Sequence, residues 1–135
     1  MNKLKCGVVG ATGYAGAELV RLLLNHPMTE LSAVSSVSYE GKTYPDIFPA
    51  FAGVCDLPLI SADELFESRC DVVFTALPAG ITEELAYKHK GLYSLLVDMG
   101  SDFRFDDEEV YNKWYGKPYA HKELHLNSVY SIPEL

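Results

Sequence analysis

The chain has 135 residues, a length that suits one domain with a buried core, and its composition, 48% hydrophobic with ten glycines and seven prolines, is that of a soluble globular protein. A formal net charge of −8 argues against a nucleic-acid partner, since affinity for a polyanion rests on lysines and arginines that neutralise phosphates. No apolar run approaches the roughly 20 residues of a membrane span, no signal-peptide core opens the chain, and three cysteines without C-x-x-C spacing suit neither disulfides nor zinc, so the expected compartment is the cytoplasm.

Leu4 to Val9 reads as a buried parallel strand, a short apolar run bounded by glycine. The stretch Gly10-Ala11-Thr12-Gly13-Tyr14-Ala15-Gly16 follows it and leads into an amphipathic run from Glu18 to Asn25. A phosphate-binding turn belongs at that place in a strand-turn-helix unit. Gly10 lets the chain leave the strand in a tight turn, Gly13 removes a Cβ where a pyrophosphate must approach backbone, and Gly16 lets the helix pack closely. The free N–H groups and the positive end of the helix dipole then face the anion. The spacing is G-x-x-G-x-x-G, not the G-x-G-x-x-G usual for NAD sites, and it is the strand-helix context that favours dinucleotide binding over a structural turn. Leu19, Val20, Leu22, Leu23 and Leu24 are expected on the apolar face of the helix, which His26-Pro27 stops.

Glu30 to Ser36 reads as the second strand, completing a strand-helix-strand unit of the expected length. An NAD site usually carries Asp or Glu at this strand's tip, bonded to the ribose hydroxyls. Here Ser35 and Ser36 stand there. Two readings are level: the hydroxyls bond a 2′-phosphate, which points to NADP(H), or the serines merely begin a loop. Lys42 is near enough in sequence to add positive charge, although a loop lysine is more often simply solvated.

Residues 39–58, broken by Gly41, Pro45, Pro49, Gly53 and Pro58, read as a surface excursion with one short apolar helix or turn around Ile47 and Phe48. Ser61-Ala62-Asp63-Glu64 has capping-box form and opens a short helix through Glu67. Asp71 to Ala76 is the next buried strand, Ala79 to Lys90 the next helix, closed by Gly91, and Leu95 to Asp98 a further strand. This alternation predicts an α/β fold, a Rossmann-like doubly wound parallel sheet. Ligands bind such sheets at the carboxyl ends of the strands, so Ala76, Leu77 and Pro78 join the glycine turn and the serines as cofactor candidates, with Leu77-Pro78-Ala79-Gly80 equally open to a reading as a plain turn. The acid cluster from Asp102 to Glu109 reads as a solvated helix start, with Val110, Trp114 and Tyr115 as the packed face.

Several segments together resemble one family. Gly7-Val8-Val9-Gly10-Ala11-Thr12-Gly13-Tyr14-Ala15-Gly16-Ala17-Glu18-Leu19, Phe74-Thr75-Ala76-Leu77-Pro78-Ala79-Gly80, Val97-Asp98-Met99-Gly100-Ser101-Asp102-Phe103-Arg104, Trp114-Tyr115-Gly116 and Val129-Tyr130-Ser131-Ile132-Pro133-Glu134-Leu135 are similar to stretches of N-acetyl-gamma-glutamyl-phosphate reductase of arginine biosynthesis. The resemblance covers the whole chain, and the D-x-G-x-D-F-R segment followed by W-Y-G is its most particular part. It implies an oxidoreductase in which a cysteine thiolate attacks an acyl phosphate, phosphate leaves, and the thioester takes hydride from NADPH to give an aldehyde. It also implies that residues 1–135 are the N-terminal dinucleotide-binding part. The catalytic cysteine and histidine, with the dimerisation domain of a homo-oligomer, would lie beyond this chain, so the chain alone is expected to be inactive. Cys6, Cys55 and Cys70 lack the motif of the catalytic cysteine and read as unmodified buried residues, while His26, His89, His121 and His125 read as surface residues. Arg104, with Ser101 beside it, is the expected contact of the small-molecule acyl phosphate, because a guanidinium forms two parallel bonds with a carboxylate or phosphate. A salt bridge from Arg104 to Asp102, Asp106 or Asp107 is the alternative. The family often has arginine after the two serines, where this chain has Val37, and that departure leaves Ser35, Ser36 and Lys42 to discriminate NADP from NAD.

A stand-alone NADP(H)-binding sensor or interaction module is the competing reading, because no complete catalytic constellation is present. An extended short-chain reductase is rejected, since none of the nine tyrosines has lysine four residues later. An exposed apolar patch is expected near residues 126–135.

Overall fold

The structure, a computed structural model, describes residues 2–135. Five strands, β1 (Leu4–Val9), β2 (Thr29–Ser35), β3 (Leu59–Ile60), β4 (Val72–Thr75) and β5 (Leu95–Asp98), form one parallel sheet in the order β3-β2-β1-β4-β5. The α/β reading from sequence holds, with one strand more than the alternation showed. β3 escapes a periodicity test because it is two residues long; it exists through pairing of Leu59 with Val34 and Ile60 with Ser35.

Among the described residues six α-helices accompany the sheet: α1 (Tyr14–Asn25), α2 (Tyr44–Ile47), α3 (Ala62–Glu67), α4 (Ile81–Lys88), α5 (Glu108–Tyr115) and α6 (Lys122–Leu126), with a 3-10 turn at Pro49–Phe51. Alternating side chains of the central strands feed two cores, as a strand's period of two requires. Val8 and Val34 pack with Val20, Leu23, Tyr44 and Leu59 on the face of α1. Val9, Ala33 and Val73 pack with Leu65 and Phe66 of α3 on the other face, where Leu85 of α4 also lies. Each fully buried valine, leucine or phenylalanine among them stabilises the fold by about 1.5–3 kcal/mol. α3 comes so close to β1 that a Cβ on Gly7 would sit 2.9 Å from a Leu65 methyl and 3.1 Å from the Cys70 sulfur.

The buried stripe of α1 runs through Gly16, Val20 and Leu23, and Leu22, expected on it, is half exposed. Leu19 and Leu24 flank the stripe and pack against the same core, whereas Leu22, turned about 100° away from Leu23 on its other side, looks toward solvent. The predicted capping box of α3 is present: the Ser61 hydroxyl accepts the Glu64 N–H at 3.2 Å, and the Glu64 carboxylate accepts the Ser61 N–H at 3.0 Å. α4 begins at Ile81 and not at Ala79, since Gly80 takes the left-handed conformation (φ 93°) that breaks the helix off from the strand.

Residues 39–58 are more than a surface excursion. Tyr44 is fully buried, its ring meets Phe48 and Phe51 with centroids 5.2 Å away in each case, and Cys55 is buried beside it. Burial pushes the Tyr44 phenol up to about 12, with Cys55 adding to the shift. In α5 the residue that packs is Tyr111, which is fully buried, whereas Trp114 is exposed and Val110 marginally so. The helix is rotated by one position from the expected face because Tyr111 is enclosed by Tyr115, Tyr119 and His125.

Two histidines depart from the surface reading. His89 is buried, stacked on Phe66 at 4.6 Å, with Nε2 2.7 Å from the Asp63 carboxylate. His125 is buried against Tyr119 at 3.5 Å, with Nε2 2.8 Å from Glu83, itself buried. Glu83 also accepts the His121 N–H at 2.7 Å, so one carboxylate of α4 fastens the segment that carries α6. Among the described residues no helix is long and apolar enough to cross a membrane.

Candidate functional site

The strand order reverses between β1 and β4: the chain winds outward through β2 and β3, then returns to the other side of β1. At such a switch point the loops leaving the two central strands diverge and open a crevice at the carboxyl edge of the sheet. The glycine turn leaves β1 there, and Ala76-Leu77-Pro78 leaves β4. The Ala76 N–H donates to the Val9 carbonyl at 3.0 Å, extending the ladder to the crevice floor.

Within the turn, each glycine has a distinct environment. Gly10 takes φ 81°, and a Cβ there would run into the Ala76 carbonyl oxygen and stand 3.0 Å from a Leu77 methyl. Gly16 is packed against the turn itself: a Cβ would overlap the Gly10 carbonyl, with the Ala11 Cα at 2.9 Å. Its close approach is thus to the turn, not to the sheet. Gly13 differs, because a Cβ there would meet only the Gly10 oxygen at 3.8 Å. Neither sterics nor its φ of −76° demands glycine at 13, so the missing Cβ leaves room in front of the helix.

Among the described residues no side chain caps that helix end. Gly13 is the N-cap and supplies no side chain, the first turn holds no acid, and the first helical bond is from Ala17 N–H to Gly13 carbonyl at 2.9 Å. The N–H groups of Tyr14, Ala15 and Gly16 precede it and are the ones a helix leaves free for an outside acceptor. Tyr14 is fully exposed. An open space, unpaired donors and an uncapped dipole fit a pyrophosphate. Glu18, the nearest acid, is tied to Arg21 at 2.6 Å, which holds its carboxyl below the usual range through the hydrogen bond first and the charge second.

The turn is fixed from two directions. The Ala11 N–H donates to the Ser35 carbonyl at 2.9 Å, and the Tyr44 hydroxyl donates to the Ala11 carbonyl at 3.0 Å. The Thr12 and Ser36 hydroxyls lie 2.8 Å apart. Ser35 ends β2 and is 2% exposed, and Ser36 is 5% exposed, while Val37 beside them is 91% exposed. Tyr44 was not among the residues singled out from sequence; the signal available was Thr43-x-x-Asp46, a helix-start pattern whose Asp46 carboxylate accepts the Thr43 N–H at 2.7 Å.

The loop after β5 touches the crevice through Gly100, where a Cβ would lie 3.1 Å from the Leu77 carbonyl. Asp98 accepts the Thr75 hydroxyl at 3.0 Å, the Thr82 hydroxyl at 3.2 Å and the Gly100 N–H at 2.9 Å. Asp102 is buried, not part of a solvated helix start: its two oxygens accept the Gly80 N–H at 2.6 Å and the Glu83 N–H at 2.9 Å. It caps α4 from the neighbouring loop. The helix that the acids do start is α5, where Asp107 accepts the Val110 N–H at 3.0 Å. Lys117, also missed from sequence, donates to the Ala79 carbonyl at 2.8 Å across Gly80.

The structure therefore brings Gly10 to Gly16, Ser35, Ser36, Ala76, Leu77 and Pro78 to one edge, and sets Ser101 and Arg104 one strand further out. Arg104 is exposed and makes no salt bridge to Asp102, Asp106 or Asp107 among the described residues; its guanidinium reaches only the Gly100 carbonyl, at 3.4 Å. It lines a groove with Asp98, Phe103, Ser128 and Tyr130 along the free edge of β5. The cysteines are all buried and unpaired, and burial pushes the Cys6 and Cys55 thiols up, away from thiolate chemistry.

Known proteins agree with this geometry. Over 132 residues the chain is 48% identical to N-acetyl-gamma-glutamyl-phosphate reductase of Clostridium beijerinckii, and over the same length 48% identical to that of Brachyspira hyodysenteriae. These alignments take in 98% of this chain but 38% and 37% of the relatives, so the chain spans well under half of their length. Aspartate semialdehyde dehydrogenase with NADP from Candida albicans superposes with a TM-score of 0.65 at 27% identity, covering 79% of this chain and 32% of that one. The sequence profile described as semialdehyde dehydrogenase, NAD binding domain, matches residues 5–135. An uncapped helix behind a glycine turn at the switch point of a parallel sheet is what that description requires, and the chain belongs to the semialdehyde dehydrogenase NAD-binding domain family.

Proposed function

We propose that this chain is the NADP(H)-binding portion of a cytoplasmic reductase that converts N-acetyl-glutamyl phosphate to N-acetyl-glutamate semialdehyde with release of phosphate. The observation that carries the reading is the open approach to the Gly13 backbone before the uncapped α1, seated at the switch point and braced by Ser35 and Tyr44. The likeness to reductases of that name supplies the substrate.

NADPH supplies the hydride when bound. The residues of this chain hold and orient it: the N–H groups of Tyr14, Ala15 and Gly16 take the pyrophosphate, Thr12 and the two serines face the ribose side, and Ala76, Leu77 and Pro78 line the crevice toward β5. Arg104 meets the acidic acyl phosphate, and Ser101, whose carbonyl accepts the Arg104 N–H at 3.3 Å, sets its backbone. No cysteine here is placed to attack an acyl carbon, so the covalent step belongs to the rest of a homo-oligomeric enzyme, and the chain alone is inactive.

Calorimetric titration with NADPH and NADH, repeated with Gly13→Glu, tests this. The reading expects binding by the native chain and its loss in a variant whose unfolding midpoint is unchanged, since position 13 has room for a side chain. Absence of binding to either nucleotide overturns it.

A further inference from the structure

A 2′-phosphate, if carried by the dinucleotide, sits near the tip of β2 in strand-helix-strand sites, where a cation accommodates its charge. The chain offers few. Lys42 is the sole lysine or arginine between Arg21 and Arg69. Arg21 is held by Glu18 through both Nε and Nη2, at 2.9 and 2.6 Å. Ser35 and Ser36 are neutral and almost wholly buried, and the Ser36 hydroxyl is engaged with Thr12, so they provide a floor without charge. Val37 projects into solvent with nothing to bond an anion.

Lys42, by contrast, is fixed by its backbone to the same edge. The Ser36 N–H donates to the Ile60 carbonyl at 3.3 Å, the Gly41 N–H to the Leu59 carbonyl at 2.9 Å, and the Leu59 N–H to the Lys42 carbonyl at 2.7 Å. The turn that leaves β2 at Ser36 thus comes back alongside β3 at Lys42. Its ammonium stands over the Tyr39 ring, 5.9 Å from the centroid, and takes part in none of the described ion pairs. The carboxylate of Asp46 is committed to the Thr43 N–H and hydroxyl, which leaves Glu40 as the acid on the turn itself.

We propose that Lys42 is the specificity-determining residue of this site: its ammonium, which stands over Tyr39 on the turn that leaves the tip of β2, selects a dinucleotide bearing a 2′-phosphate over one with a free ribose hydroxyl. The inference rests on the dinucleotide reading above.

Direct titration with NADPH and NADH, and with 2′,5′-ADP and 5′-ADP as fragments, separates the two. For Lys42→Met the expected result is a loss of affinity for NADPH and 2′,5′-ADP of about ten-fold, the scale of one charge-assisted bond, with NADH and 5′-ADP unchanged. Lys42→Arg restores the preference, and added salt weakens NADPH binding less in Lys42→Met than in the native chain. An NADPH-to-NADH affinity ratio that is the same in the native chain and Lys42→Met overturns the proposal while leaving the dinucleotide site intact, and so does a native chain that binds NADH as tightly as NADPH. A chain that binds none of the four overturns both. Circular dichroism checks that each variant is folded, which the exposure of Lys42 leads one to expect.

Discussion

The hydroxyl of Thr12 lies 2.8 Å from that of Ser36, so the glycine turn and the tip of β2 are joined side chain to side chain. Thr12→Val keeps the shape and removes the bond, leaving a nearly buried hydroxyl at Ser36 without a partner. The expected cost is about 1 kcal/mol in urea unfolding, with a parallel loss of nucleotide affinity in calorimetry. An unchanged affinity would show that the turn holds its position without this link.

Gly16 and Gly13 should respond oppositely to alanine. At Gly16 the added methyl meets the Gly10 carbonyl and Ala11 backbone, which cannot yield without opening the turn, so Gly16→Ala is expected to destabilise by about 2 kcal/mol or more. Gly13→Ala has open space and a backbone conformation suited to alanine, and should match the native melting temperature within a degree or two, as thermal denaturation will show.

Asp102 satisfies the N–H groups of Gly80 and Glu83 with its two oxygens. Asp102→Ala strands both, and the expected loss is about 2–4 kcal/mol. Asp102→Asn keeps one acceptor and should recover a part of it. Hydrogen exchange at Gly80 to Glu83 is the readout: the alanine variant exchanges there much faster than at β1.

The Tyr44 phenol titrates near 12 in the folded chain, against 10 when free, because burial disfavours its anion. Its folded value is raised, so the contribution is fully present below pH 10 and is lost as pH rises toward 12. Tyr44→Phe should flatten that part of the alkaline limb while lowering stability at neutral pH through the missing bond to Ala11. A limb of the same slope in the variant would assign the alkaline loss elsewhere.

Leu126, Val129, Tyr130, Ile132 and Leu135 are all exposed, in the segment where an apolar patch was expected. The isolated chain should self-associate in sedimentation velocity and bind an apolar dye, and serine at Val129 and Ile132 together should reduce both. Sedimentation as a monomer without dye binding would remove this expectation.

What sequence showed and hid follows from range. β1 and β5 were readable to the residue because each is a compact apolar run with a glycine or polar stop. The turn was readable because its glycines act within seven residues of each other. His125 was not, since its partner Glu83 is 42 positions away, and a histidine in a short segment with Lys122, Glu123 and Asn127 looks solvated until α6 folds onto α4. Asp102 was hidden in the same way, an acid among acids whose acceptors are spent on a helix 22 residues earlier. Tyr111 rather than Trp114 faces inward because neighbouring aromatic rings, not local pattern, select the helix face.

The bond from the Tyr44 hydroxyl to the Ala11 carbonyl makes the segment after β2 answerable for the shape of a turn 33 residues before it. A random library screened for weakened nucleotide capture should therefore return lesions at Tyr44, Phe48 and Phe51 alongside those in the glycines. Such lesions would look remote on a linear map, and they would behave as binding defects, because what they loosen is the anvil against which the turn is held.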